Sequence, residues 1–210
     1  MRLYCLLLVV SSFLSCQPSS GNSAAAGDAN VGKEAGLNKD TRGESTSDQN
    51  EIEKELESLS TNSQKIAFQR SIVKSDLDLH KNQSQILQLH GFSSTEYKEL
   101  TKAVEQSEKK NLAKTLGFIE RFGISSDQSV GRMQSSAMRL VLSHSLDVDV
   151  YHKVYASFHK AWELEYMDES EFASYLQDYY QLKNGKMLEL KNPYRTEDEI
   201  RALINELGLG

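Results

Sequence analysis

The sequence has few of the residues that form disulfides or break helices: it contains two cysteines and two prolines in 210 residues. Cys5 lies inside an N-terminal apolar run and Cys16 lies just after it, so the rest of the chain has no thiol for a disulfide or a metal. Pro18 and Pro193 leave the long stretch between them without the residue that most strongly breaks helices. The fold must therefore be held by the packing of its core, which a chain of this length can supply.

An excess of basic residues is also absent. The formal net charge is −6, and it divides into +1 over 1–15, −2 over 16–50 and −5 over 51–210. An acidic domain lacks the positive surface of a nucleic-acid binder. We expect no nucleic-acid partner, and we expect no helix of this domain to lie on an anionic membrane.

No apolar run is long enough to span a bilayer, which takes roughly 20 residues as a helix. Leu3 to Leu14 is a run of 12 residues broken only by two serines, and it follows the basic start Met1-Arg2. This order is typical of a secretory signal peptide over 1–15. Two alternatives are a buried N-terminal helix of a cytosolic protein and cleavage by ordinary signal peptidase near 24–26, about ten residues beyond the apolar run.

Phe13-Leu14-Ser15-Cys16 resembles the lipobox of bacterial lipoproteins, with Phe13 where Leu is usual. The resemblance implies that Cys16 carries a diacylglyceryl thioether, becomes the mature N-terminus and receives a further acyl chain such as palmitate. Gln17 is not the Asp that signals inner-membrane retention in diderm bacteria, which favours the outer membrane. We therefore expect an exported protein that contacts the membrane through its lipid anchor.

Residues 17–50 contain no aromatic residue and many Gly, Ser, Asn and Asp. Such a segment cannot bury enough apolar surface to offset its chain entropy. We predict a lipidated cysteine and disordered tether over 16–50, and a tether of this length would span about 30 Å. The alternative is a segment that binds a partner.

From residue 51 to residue 210 the apolar spacing is helical. We predict an all-α domain of six or seven helices in an irregular bundle. Ser93–Glu96 and Asp168–Glu171 have the pattern of capping boxes, Asp147 is a predicted N-cap, and Gly123 is a predicted helix end. A coiled coil over 51–90 is an alternative.

Three histidines, His144, His152 and His159, are the first candidates for chemistry. His152 and His159 are seven residues apart, which places their Cα atoms about 10.5 Å apart on a helix, too far to share one metal ion. We predict no metal site and no cofactor. His144 follows an apolar stripe, where it either closes a helix end or lines a cleft.

Aromatic side chains are dense between 151 and 180. Most would pack in a core, but Tyr151, Tyr155, Trp162 and Tyr179 offer rigid amphipathic surface that could form a groove for a partner.

Four short motifs occur in order between 111 and 186: Phe122-Gly123, Val130-Gly131, His144-Ser145 and Leu176-Gln177-Asp178. In this order the region resembles an uncharacterised bacterial helical domain family of unknown function. The sequence departs from the family pattern at Ile124-Ser125, at Tyr179 in place of Arg, and after Gly185, where the Gln is missing. The resemblance implies that, of a polar site of His, Asp, Arg and Gln, His144 and Asp178 remain.

The sequence shows no constellation of acid, base and nucleophile. We therefore expect a membrane-anchored lipoprotein with a non-catalytic helical domain that binds or scaffolds a protein partner in the bacterial cell envelope. The alternative is a hydrolase that uses His144 and Asp178 in a cleft.

Overall fold

The computed structural model describes residues 42–189 and 196–210, with side chains from residue 48 onwards. The predicted signal peptide, Cys16 and the tether as far as residue 41 lie outside the described residues. Within the described ranges every regular element is an α-helix, and seven are present, so the all-α prediction is confirmed. The helices are α1 (Arg42–Glu57), α2 (Asn62–His90), α3 (Thr95–Phe122), α4 (Gln128–Leu142), α5 (Val148–Glu163), α6 (Glu169–Asn184) and α7 (Thr196–Leu207).

Helix α1 begins at Arg42, inside the segment that the sequence assigned to the tether. The apolar pattern starts only at Ile52, so periodicity gives no signal for the turns before it. Ile52 and Leu56 are buried, and once this packed part is helical the preceding polar residues extend it at little cost, because helix propagation is far easier than nucleation.

The helical pattern over 51–90 is interrupted at Ser58–Thr61, which excludes a continuous helix or coiled coil there. Thr61 is the N-cap of α2: its Oγ1 accepts a hydrogen bond from the Gln64 backbone N–H, and Gln64 Oε1 accepts one from the Thr61 N–H. This reciprocal pair is a capping box. It was not predicted, because the apolar spacing continues across the break and gives no sign that a helix begins there.

The other helix ends follow the sequence closely. Asp147 caps α5, Asp168 and Glu171 form the capping box of α6, and Gly123 ends α3 with a positive φ of 61°. The box predicted at Ser93 is wrong by one residue, because Ser94 is the N-cap of α3 and accepts from the Tyr97 N–H.

Helix α4 lies between two hydrophobic cores. One core joins α1, α2 and α3 to one side of α4, through Val130 and Val141. The other joins α5, α6 and α7 to a neighbouring face of α4, about a quarter of a turn away, through Met138 and Leu142. Because one helix serves both cores, the described helices form one continuous packed structure.

Helices α2 and α3 form a hairpin whose outer half has no core. No residue between 77 and 103 is buried, and we call this part of the hairpin the arm. The half-buried residues of the arm are a mixture of apolar side chains, such as Leu79, Ile86 and Leu100, and polar ones, such as Gln83 and Thr101, whose Nε2 and Oγ1 atoms are 3.3 Å apart. At 1.5 Å per residue, the arm extends about 20 Å beyond the last buried residue of α2. No helix in the described part of the chain is long and apolar enough to cross a membrane.

Gly131 allows a loop to pack closely on α4. A Cβ added at Gly131 would lie 2.1 Å from Cε2 of Tyr166, a ring that is held by its hydroxyl donating to the Ser126 carbonyl at 3.0 Å. Any larger residue at this position would have to displace the ring.

We predict that Gly131→Ala lowers the free energy of unfolding by about 1–3 kcal/mol, the usual cost of overpacking. In a Tyr166→Ala background the same change should raise it, by up to about 1 kcal/mol, because Ala is the better helix former. Urea denaturation of the four proteins of this cycle measures both effects. If Gly131→Ala changed the free energy of unfolding in the same direction in both backgrounds, the contact with Tyr166 would not be the reason for glycine at position 131.

Candidate functional site

Four ionisable side chains meet where α2, α3 and the end of α4 come together. Asp76 and His80 lie one turn apart on α2, Glu108 lies on α3, and His144 follows the last turn of α4. We call these four residues the His–Asp cluster. Positions i and i+4 share a helix face, so α2 presents Asp76 and His80 together towards its neighbours.

Each carboxylate of the cluster lies near both imidazoles. His144 Nε2 is 3.2 Å from Asp76 Oδ2, and His144 Nδ1 is 3.7 Å from Glu108 Oε1. His80 Nε2 is 4.0 Å from the same Asp76 oxygen and 3.3 Å from Glu108 Oε1. The two imidazole rings are stacked, with centroids 4.4 Å apart and planes inclined by 22°.

The buried polar atoms of the cluster make few hydrogen bonds. Asp76 is only 2% exposed, and a buried carboxylate is costly unless charges or hydrogen bonds compensate it. Its one hydrogen bond within the cluster is to His144 Nε2. His80 Nε2 is also buried, and although Glu108 Oε1 is close, the two atoms lack the alignment of a hydrogen bond.

A pocket of about 330 Å³ opens beside the cluster. His144 and Glu108 line it together with Glu105, Lys109 and Ser145. The cluster thus combines a buried end, at Asp76, with an end that a small ligand or ion can reach from solvent.

His144 was a predicted candidate, but Asp76, His80 and Glu108 were not. The available signal was the i, i+4 spacing of Asp76 and His80, which is a metal-ligand spacing on a helix. The prediction of no metal site followed from the spacing of His152 and His159 and did not take the Asp76–His80 pair into account. His144 does not close a helix end through its ring, because both ring nitrogens face carboxylates of other helices.

Asp178 lies elsewhere. It lines a pocket of about 310 Å³ between α4, α5 and α6, whose walls include Arg139, Glu171 and the rings of Tyr151 and Tyr175. Arg139 and Glu171 form an ion pair across this pocket. His144 and Asp178 therefore line different pockets, and the structure does not bring the two predicted catalytic residues together.

Of the four aromatic residues predicted to form a groove, two lie in the core and two are half-buried at its edge. Tyr151 and Tyr179 are each 3% exposed, while Tyr155 and Trp162 pack against the same cluster. Burial, aided by the nearby Asp178, raises the pKa of Tyr151 to about 12, and its hydroxyl donates to the Leu142 carbonyl at 3.0 Å. These rings hold α4, α5 and α6 together and do not form an open groove.

Comparison of the chain with protein-family models, curated proteins and solved structures finds no match.

Partial burial raises the pKa of the Asp178 carboxyl above its ordinary value of 3.8. An acid whose pKa is higher in the folded state than in the unfolded state stabilises the fold only while it is protonated. Asp178 should therefore destabilise the fold slightly at neutral pH, and this cost should vanish as the pH falls below the ordinary value.

We predict that Asp178→Asn raises Tm at pH 7 and leaves it unchanged near pH 3. Thermal melts at the two pH values check the difference. Asp198→Asn is the control and should not raise Tm at pH 7, because Asp198 is exposed in the first turn of α7 and lies 3.7 Å from Arg201. A gain of the same size at both pH values would contradict the assignment to burial.

Proposed function

We propose that the chain is a membrane-anchored lipoprotein of the bacterial cell envelope, with a non-catalytic helical domain that binds a protein partner. Support for the anchor comes from the sequence: a basic start, an apolar run too short to span a bilayer, and the lipobox-like stretch ending in Cys16. A thiolate is the nucleophile that a stable thioether requires, and two or three acyl chains bind a membrane far more firmly than one.

The observation that carries the proposed binding role is the arm formed by the outer halves of α2 and α3. An isolated pair of helices gains little stability without an apolar face buried elsewhere. The arm nevertheless continues for several turns beyond the core and ends in a short turn at Gly91–Ser94. A protruding hairpin of this kind suits recognition better than it suits stability.

The end of the arm presents apolar side chains to solvent. Leu89 is 76% exposed and Phe92 is 70% exposed, and both flank the turn at Gly91. The Phe92 ring meets Tyr97 edge to face at 5.4 Å, which gives the turn a small aromatic surface. We assign the partner contact to this surface, and the partner is a protein with an apolar recess for Leu89 and Phe92.

The hydrolase alternative required His144 and Asp178 to converge on one cleft. Since they line separate pockets, no observation favours that reaction, and we do not propose it.

We predict that Cys16→Ala releases the protein from the membrane fraction or leaves it uncleaved, because the residue can no longer take the lipid. Fractionation of cells, with detergent partitioning and mass measurement of the N-terminus, tests this outcome. Cys5→Ala is the matched control, since that cysteine lies within the apolar run. A Cys16→Ala protein that is cleaved and partitions into detergent like the parent would refute the lipid anchor.

We predict that the double change Leu89→Ser and Phe92→Ser abolishes partner binding without lowering Tm, because neither side chain is buried. A photo-crosslinking residue placed at position 88 in intact cells should give a discrete product with the parent chain and none with the double variant. Leu146→Ser is the control, since Leu146 is 85% exposed but lies in the turn between α4 and α5. A product that survives the double change, or no product from position 88, would contradict a partner contact at the arm.

A further inference from the structure

We propose that Asp76, His80 and His144 form a binding site for a divalent transition-metal ion, with Zn²⁺ as the type case. One oxygen of Asp76 and one ring nitrogen from each histidine lie within 4.8 Å of one another. Two imidazoles and a carboxylate are a donor set that favours ions such as Zn²⁺ over Ca²⁺ and Mg²⁺, which prefer oxygen ligands.

The spacing of the ligand atoms is close to that of a bound state. Around a tetrahedral Zn²⁺ with bonds of about 2.0–2.1 Å, ligand atoms are about 3.3 Å apart. The His144–Asp76 separation of 3.2 Å already meets this value, and His80 Nε2 is 4.0 Å from the same carboxylate oxygen. The set must contract by about 1.5 Å at its widest, which requires the two histidine side chains to rotate out of their stacked arrangement.

Two independent observations point to a ligand rather than to a finished polar network. His80 Nε2 is buried beside Asp76 and makes no hydrogen bond, because Glu108 Oε1, although 3.3 Å away, is not aligned to accept one. The Asp76 carboxylate, at 2% exposure, has only the His144 bond within the cluster. A cation bound between these atoms satisfies both groups at once and compensates the buried charge.

Glu108 completes the site from outside the ligand set. When His144 binds the ion through Nε2, its Nδ1–H can donate to Glu108 Oε1, which is 3.7 Å away. A carboxylate in this position is the usual partner of a metal-bound histidine, because it fixes the tautomer and the ring orientation. The two carboxylates together balance a charge of +2.

The pocket lined by His144, Glu108 and Ser145 lies beside the three ligands, so solvent could reach an ion bound by them. The proposed site is therefore an open one with three protein ligands, in which water or an exchangeable group takes the remaining position.

The experiment uses the full chain in detergent, without a histidine tag and with Cys5→Ser and Cys16→Ser to remove competing thiols. Titration with Zn²⁺ should give one equivalent bound per chain and a higher Tm, since an ion that binds only the folded state stabilises it. Ca²⁺ and Mg²⁺ should shift Tm by much less. His80→Ala and His144→Ala should each weaken Zn²⁺ binding by more than about tenfold, and Glu108→Gln by about 10–100-fold.

His90→Ala is the matched control, because His90 is an exposed histidine on the same helix as His80. In the parent chain, Zn²⁺ should also protect His80 and His144 from modification by diethyl pyrocarbonate while His90 and His152 stay reactive. This measurement needs no folded variant. Zn²⁺ binding that is unchanged in the two histidine variants, protection that does not include His80 and His144, or no binding to the parent chain would overturn the proposal.

Discussion

The buried carboxylate of Asp76 is the constraint on which the arrangement of α2, α3 and α4 depends. It lies in the middle of α2, at the last buried position before the arm, and is only 2% exposed. A carboxylate at this depth has to be compensated by whatever packs over it. The chain after α4 therefore brings His144 back against α2, and the face of α3 that meets it presents Glu108.

Asp76 also marks the point at which the α2–α3 hairpin changes from a part with buried residues to a part without them. Below Asp76, α2 and α3 contribute Phe68, Ile72 and Phe118 to the core that α1 and α4 complete. Above it, the contacts between the two helices are made by half-buried apolar and polar side chains, and no residue is buried until Val104. An ion bound at the His–Asp cluster would tie α2 to the end of α4 at the base of the arm.

Local sequence determines most of the helices, and sequence reasoning found them where local signals are strong. The box at Asp168–Glu171 and the cap at Asp147 were predictable because an Asp directly before an apolar helical stripe is a preferred N-cap, whose carboxylate accepts from the free N–H groups of the first turn. The break before Thr61 was not predictable from apolar spacing, since Ile66, Val73 and Leu77 continue the spacing of α1 in register. The residues that α2 buries, such as Phe68 and Ile72, lie on another face. Nor was the start of α1, because exposed polar turns carry no periodic signal and depend on the packing that follows them.

The candidate site was predictable only in halves. Asp76 and His80 are a local pair, which the spacing of four residues made visible, whereas their union with His144 spans 68 positions and depends on how α4 packs between two cores. His144 and Asp178 show the reverse case: both were candidates by residue type, yet α4 and α6 direct them to different pockets. Residue type and helical register identify which side chains can do chemistry. Which of them act together is decided by long-range packing. In this fold the packing brings His144 to Asp76, His80 and Glu108, and it leaves Asp178 among aromatic side chains at a different pocket.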